Sequence, residues 1–189
     1  MPNLSEIVQL GNPLLRQPAE PVADLSDKTL ESLIDSLLAI TVTANGVGIA
    51  APQIGRSCRL FIIASRPTPR YPQAPLMEPT AMFNPRILYH SAEIVKDWEG
   101  CLSVSGIRGL VPRYRTISVE YWDRHGQYQQ QQLTDFVARI FQHELDHLNG
   151  IVFLDRVEST LDLATEQEYQ RLISANSSTQ SQSALDGGG

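Results

Sequence analysis

Cysteine is scarce in this chain: Cys58 and Cys101 are the only two among 189 residues, which excludes a disulfide-built fold. Two thiols suit a reducing compartment, and the cytoplasm is the location expected. Positive charge is also in short supply, with 15 Lys and Arg against 21 Asp and Glu and a formal net charge of -6. A protein built to hold a phosphate backbone needs the opposite balance, so nucleic acid is not expected as the main ligand. Long apolar runs are missing, which leaves no candidate membrane span. The opening residues MPNLSEIVQLGNPLLRQPAE lack the basic start and apolar stretch of a secretory signal. They are neither Arg-rich nor Ser-rich, as a transit peptide would be.

The remaining composition is globular, at 42% apolar and 19% charged residues, and the length suits one domain with its own core. After a Pro-punctuated start, Ser26 reads as an N-cap, with Asp27 in the first turn of a helix. Leu30, Leu33, Ile34, Leu37 and Leu38 give that helix one apolar face. Gly46–Gly55 ends it as a loop of small residues. Leu60–Ala64 reads as a buried strand. Ser65–Thr80, with five prolines, must be a loop. Ala81–His90 and Ala92–Trp98 read as strands. Thr116–Trp122 alternates and returns through the turn Asp123–Gly126 into Gln127–Leu133. The Gln129–Gln132 run reads as a solvated strand face. From Asp135 the period becomes helical, and Gly150 closes that helix. A last helix is expected over Leu161–Ile173. Residues 1–175 read as one α+β domain, and the polar stretch 176–189, ending in three glycines, as a flexible tail.

The densest chemical signal is His143-Glu144-Leu145-Asp146-His147. Residues four apart on a helix point the same way, so two imidazoles can share one metal ion while Glu144 reaches a water. Two histidines turned toward a greasy core without a ligand would be hard to satisfy. A third protein ligand is needed. The extended zincin pattern requires His at 153, where this chain has Phe153. A downstream carboxylate would be Glu166 or Glu168, neither in a ligand motif. Upstream, Cys101 lies in a small-residue turn leaving a strand, and its thiolate could complete a Cys-His-His site. Outside this cluster, Cys58 reads as a small buried hydrophobe and His90 and His125 as surface or turn residues.

Three separated motifs carry a family resemblance. Gly46-Val47-Gly48-Ile49-Ala50-Ala51-Pro52-Gln53 is similar to G-φ-G-φ-A-A-x-Q. Glu99-Gly100-Cys101-Leu102-Ser103 is similar to E-G-C-φ-S. Gln142–Gly150 is similar to Q-H-E-φ-D-H-L-x-G. In this order they resemble the peptide deformylases over about Ile7 to Arg156. Two departures stand out: Ser105 occupies a position that is often Pro, and the loop Ser65–Thr80 is longer than in compact members.

The resemblance implies a domain whose central metal-binding helix packs among small, mostly antiparallel sheets, with an N-terminal and a C-terminal helix. It implies removal of formate from N-formyl-methionyl peptides of nascent chains. In that reading Cys101, His143 and His147 hold a divalent metal, ferrous by resemblance, with zinc or nickel in purified forms. Glu144 moves the proton, and the Gln53 amide and Leu102 backbone N–H stabilise charge on the formyl oxygen. Gly46, Val47 and Gly48 receive the peptide as an added strand, and Ile140, with Phe136 one turn earlier, lines the methionine slot. Glu99 and Arg113 pair behind Cys101. Direct ribosome docking is disfavoured by the acidic last helix. The main competitor is a zinc-dependent peptidase of the HExxH type. A cysteine hydrolase with Cys101 as nucleophile is another alternative, which would survive metal removal, and a non-catalytic peptide binder is a third, which would have no chemical reason to keep Glu144 and Gln53.

Overall fold

The computed structural model describes the backbone of residues 7–185 and the side chains of residues 7–175. Among the described residues there are eight strands and three α-helices. Five strands form one antiparallel sheet in the order β1 (Gly48–Ala50), β2 (Leu60–Ile63), β3 (Thr80–His90), β6 (Thr116–Trp122), β7 (Tyr128–Thr134). The other three form a second antiparallel sheet in the order β4 (Ile94–Cys101), β5 (Val104–Tyr114), β8 (Leu163–Thr165). The expected α+β domain is what is observed.

The side-chain pattern of β2 explains how the larger sheet is covered. A strand buried on both faces needs apolar residues at every position, and Leu-Phe-Ile-Ile supplies them. Phe61 and Ile63 pack toward α2 (Asp135–Leu148), together with Val119, Ala138, Ile140 and Phe141. The Phe61 and Phe141 rings meet edge to face at 5.1 Å. Leu60 and Ile62 pack on the other side against Ile34, Leu37 and Ile40 of α1 (Thr29–Thr43). A smaller cluster of Cys101, Val104, Val111 and Phe153 joins the second sheet to the residues that follow α2. Helix α2 therefore sits between the sheets, with both of its flanks packed.

Several local expectations shift. Helix α1 starts at Thr29, not after Ser26: the Asp27 carboxylate accepts the Thr29 N–H at 2.8 Å, while Ser26 turns back to Asp24. The segment Gly46–Gly55 is not all loop, because Gly48–Ala50 pairs with Phe61–Ile63 and a 3-10 turn follows over Ala51–Ile54. The last helix, α3, runs Glu166–Leu185, because Leu163–Thr165 first adds to the edge of β5. The expected tail therefore begins inside this helix, and its residues 186–189 lie outside the described residues. Cys58 is half-buried at the margin of the α1-side core. His90 and His125 are exposed.

The end of α2 shows why Gly150 is glycine. It holds φ +74°, and a Cβ there would lie 2.8 Å from the backbone carbonyl of Arg16. The chain thus turns sharply after His147 while the N-terminal segment crosses closely over it.

Candidate metal centre

Helix α2 carries His143 and His147 one turn apart, and the end of β4 brings Cys101 to meet them. Strand β4 follows β5 in regular register until Gly100 and then shifts, so that Cys101 faces Val104 at the mouth of a tight turn. The Cys101 sulfur and one ring nitrogen from each histidine lie within 4.8 Å of one another, the one such cluster among the described residues. Cys101 Sγ is 3.2 Å from His147 Nε2.

The surroundings set the charge of Cys101 and His143. Burial alone would raise the Cys101 thiol, but the adjacent His147 and His143 outweigh it and hold the group well below its ordinary value. Two N–H donors also reach Sγ at 3.4 Å, the Gln53 side-chain amide and the Ser103 backbone. Burial alone would lower His143, yet Cys101 and Glu99 hold its proton well above the usual range. A metal must displace that proton, as thiolate–imidazole sites require.

Glu99 orients His143 by accepting from Nδ1 at 2.9 Å, which leaves Nε2 turned to the cluster. Arg113 donates to both Glu99 oxygens, at 2.9 and 3.0 Å, and Arg139 donates to one at 2.8 Å. Burial would raise the Glu99 carboxyl, but Arg113 and His143 keep it well below the carboxylate range. Arg113 continues to Asp146 at 2.6 Å, and Asp146 accepts from Arg156 at 2.7 Å. The family resemblance pairs Glu99 with Arg113 but gives no role to Arg139, Asp146 or Arg156. The carboxylate of Asp146, inside the HExxH pentapeptide, was the available signal. The neighbouring Gln142 bonds both the N–H and the carbonyl of Tyr114, pinning α2 to the end of β5.

Glu144 is 4% exposed and lines a cleft beside the cluster. Burial pushes its carboxyl up to about 7, against the pull of the two histidines. Its Oε2 and His147 Nδ1 are the two buried side-chain atoms with no hydrogen-bond partner among the described residues. Unpartnered buried oxygen beside a soft thiolate and two imidazoles is the donor set of a catalytic metal site with room for water. These residues fit a divalent ion.

The cleft is also lined by Gly46, Val47, Gly48, Gln53, Leu102 and Ile140, so the candidate substrate residues gather at one place. Phe136 lines it as well. Gln53 is held by accepting the Ala50 N–H at 2.8 Å, with its amide donating toward Cys101 and Ser103. The two glycines differ in kind. A Cβ on Gly46 would meet ordinary contacts, whereas one on Gly48 would lie 2.6 Å from Glu144 Oε1 and 2.9 Å from Ile140 Cγ2. Strand β1 is the sheet's edge, with β2 on one side only. Tyr71, Trp98 and Arg139 also stand in the cleft wall, unannounced by any motif. Trp98 stood in an expected strand, and Tyr71 in a loop with no periodicity to flag it.

The carboxylates that a peptidase would recruit are engaged elsewhere. Glu166 holds Arg108, and Glu168 pairs with Arg171. Phe153, where the extended zincin pattern needs histidine, packs in the cluster around Cys101. No helix among the described residues is long and apolar enough to cross a membrane.

A family model described as polypeptide deformylase matches residues 4–162. The chain is 64% identical over 175 residues to Peptide deformylase 2 of Nostoc sp., covering 93% of this chain and 98% of that protein. It is 51% identical over 150 residues to Peptide deformylase 2 of Shewanella oneidensis, covering 79% of this chain and 82% of the relative. Among solved structures it is similar to the Met-Ala-Ser-bound class I type b peptide deformylase of Acinetobacter baumannii. That pair shares 44% identity and a TM-score of 0.78, over 80% of this chain and 96% of the other.

Proposed function

The chain belongs to the polypeptide deformylase family, metal-dependent hydrolases that take the formyl group off peptide N-termini, and we propose how its own residues divide that work. Cys101, His143 and His147 hold one divalent ion, ferrous iron in the cell, with zinc or nickel as substitutes in purified protein. When bound, the ion supplies a Lewis acid at the formyl carbonyl and makes water acidic enough to lose a proton near neutral pH.

Glu144 accepts that proton and returns it to the leaving amine. Burial, which pushes its carboxyl up to about 7, puts both transfers within reach near neutral pH. The Gln53 amide and the Leu102 backbone N–H donate to the formyl oxygen as negative charge builds there. The peptide lies along Gly46, Val47 and Gly48 as a strand added to the edge of β1. Its first side chain, methionine, enters the slot lined by Ile140 and Phe136. The natural substrates are N-formyl-methionyl ends of nascent chains in the cytoplasm. Helix α3 opens with Glu166 and Glu168, and that negative charge disfavours docking on ribosomal RNA through this helix.

The observation that supports this reading most strongly is the convergence of one sulfur and two ring nitrogens within 4.8 Å beside the cleft that Glu144 lines. The test is metal analysis combined with formate release from N-formyl-Met-Ala-Ser. The expected result is one ion per chain and rapid release, with Glu144→Gln keeping its metal and losing turnover by on the order of a thousandfold. Cleavage of an unformylated peptide, with no formate formed, would favour the peptidase.

A further inference from the structure

Arg108 is a charged side chain that the chemistry above does not use, and it is 0% exposed. It sits on β5 opposite Gly100, where an added Cβ would lie 3.0 Å from the guanidinium stem. Gly100 therefore cedes the space that Arg108 fills. Its Nε and Nη2 donate to the two Glu166 oxygens at 2.7 and 3.1 Å, and its Nη1 donates to the Tyr71 hydroxyl at 3.0 Å. The guanidinium carbon lies 5.1 Å from the Tyr71 ring centre and 4.8 Å from that of Tyr169. A planar cation held by a bidentate carboxylate and two ring faces has a fixed orientation.

The partners of Arg108 lead straight to the cleft. Tyr71 belongs to the Pro-rich loop and stands 5.3 Å from Phe136, while Tyr169 of α3 stands 5.4 Å from Trp98. Tyr71, Trp98 and Phe136 all line the cleft. The backbone of Tyr71 bonds within its own loop, to Thr68 and Ala74. Its ring packs at the margin of the α2-side core, meets Phe136, and takes its polar tie to the body of the protein from Arg108.

We propose that Arg108, Glu166 and Tyr169 form a positioning brace that holds the aromatic wall of the cleft from behind and so sets the preference for a long, unbranched first side chain. The inference rests on the deformylase reading and deepens it: a slot walled by Tyr71, Trp98 and Phe136 rewards a side chain long enough to touch those rings. A short side chain never reaches them and should be indifferent to the brace.

The test uses the full-length, metal-loaded enzyme and its variants Glu166→Gln, Tyr169→Leu and Tyr71→Phe. Each is assayed for formate release from N-formyl-Met-Ala-Ser and N-formyl-Ala-Ala-Ser, with metal content and Tm recorded. The brace predicts that kcat/KM for the methionyl peptide falls on the order of tenfold in each variant, mainly through KM, while the alanyl peptide changes less than about twofold in Glu166→Gln and Tyr169→Leu, which lie outside the cleft wall. It also predicts that Glu166→Gln and Tyr71→Phe are non-additive, since both act through Arg108. Equal losses on both peptides, or a lower Tm with the Met-to-Ala ratio unchanged, would make the cluster a matter of stability alone and overturn the proposal. A wild-type enzyme that releases formate from neither peptide would instead remove the functional reading, and the brace with it.

Discussion

Adding one methyl group at Gly48 should disable the active site while leaving the metal in place. The backbone poses no obstacle, because Gly48 lies in strand β1 and is not among the residues with positive φ. The obstacle is steric. The new carbon would stand 2.6 Å from Glu144 Oε1, 3.0 Å from Glu144 Cδ and 2.9 Å from Ile140 Cγ2. Restoring ordinary contact requires the carboxylate to withdraw by about 1 Å, and a misplacement of that size costs on the order of a hundredfold in rate. Crowding in a packed core costs a further ~1–3 kcal/mol of stability. Gly48→Ala should therefore bind one ion per chain, unfold a few degrees earlier and release formate from N-formyl-Met-Ala-Ser with kcat down about a hundredfold. The Gly46→Ala variant is the internal control for crowding near Glu144, since a Cβ there meets nothing closer than 3.5 Å. If Gly48→Ala keeps full kcat with its metal bound, the placement of Glu144 does not govern the rate, and the proton-transfer assignment fails.

Two further outcomes follow from buried contacts. Glu99→Gln replaces the carboxylate that anchors His143 with a neutral amide and leaves Arg113 and Arg139 without their shared buried negative charge. Metal affinity measured by competition with a chelator should fall about 10- to 100-fold, and chemical denaturation should show a loss of ~3–5 kcal/mol. The carboxyl of Glu99 is held low in the folded protein, so this stabilisation is complete above the ordinary carboxylate range near about pH 4.3. It is lost only as pH falls through the depressed value, so wild type and variant should converge in strong acid. Gly150→Ala forces a left-handed φ on a residue with a side chain and drives its Cβ to 2.8 Å from the Arg16 backbone. The expected cost is ~2 kcal/mol or more in thermal unfolding, and an unchanged Tm would contradict the close crossing there.

How much of this was legible in the sequence depended on whether the signal was local. The β6–β7 hairpin could be read because its apolar residues alternate, and Asp123 closes the turn by accepting from His125 and Gln127. Helix α2 could be read from its spacing alone. Strand β5 could not, because Gly106, Gly109 and Pro112 read as breakers. Gly106 in fact takes φ +78°, and Gly109 is small because a Cβ would meet Phe153 and Val157 at 2.9 Å. Strand β1 is too short to show a period.

The site divided in the same way. Cys101, Glu144 and the two histidines were marked by residue type and spacing. The ion-pair network, by contrast, is a tertiary property: Arg139 and Asp146 lie on α2, Arg113 on β5 and Glu99 on β4, and no window of sequence holds all four. The resemblance pairs Glu99 with Arg113 behind Cys101, but their burial to 4% and 6% exposure is seen only in the folded chain. Arg108 gave no sign at all, since a fully buried arginine in a strand is seen only once its partners from the loop and α3 arrive.

The shared coordination of one cation is most directly tested by titrating the metal-free chain with cobalt(II) and following its absorption. Wild type should saturate at one ion per chain with a thiolate-to-cobalt charge-transfer band, and Cys101→Ser should lose that band. A band that survives in Cys101→Ser, or that never forms in wild type, would contradict the sulfur–imidazole site on which the account stands.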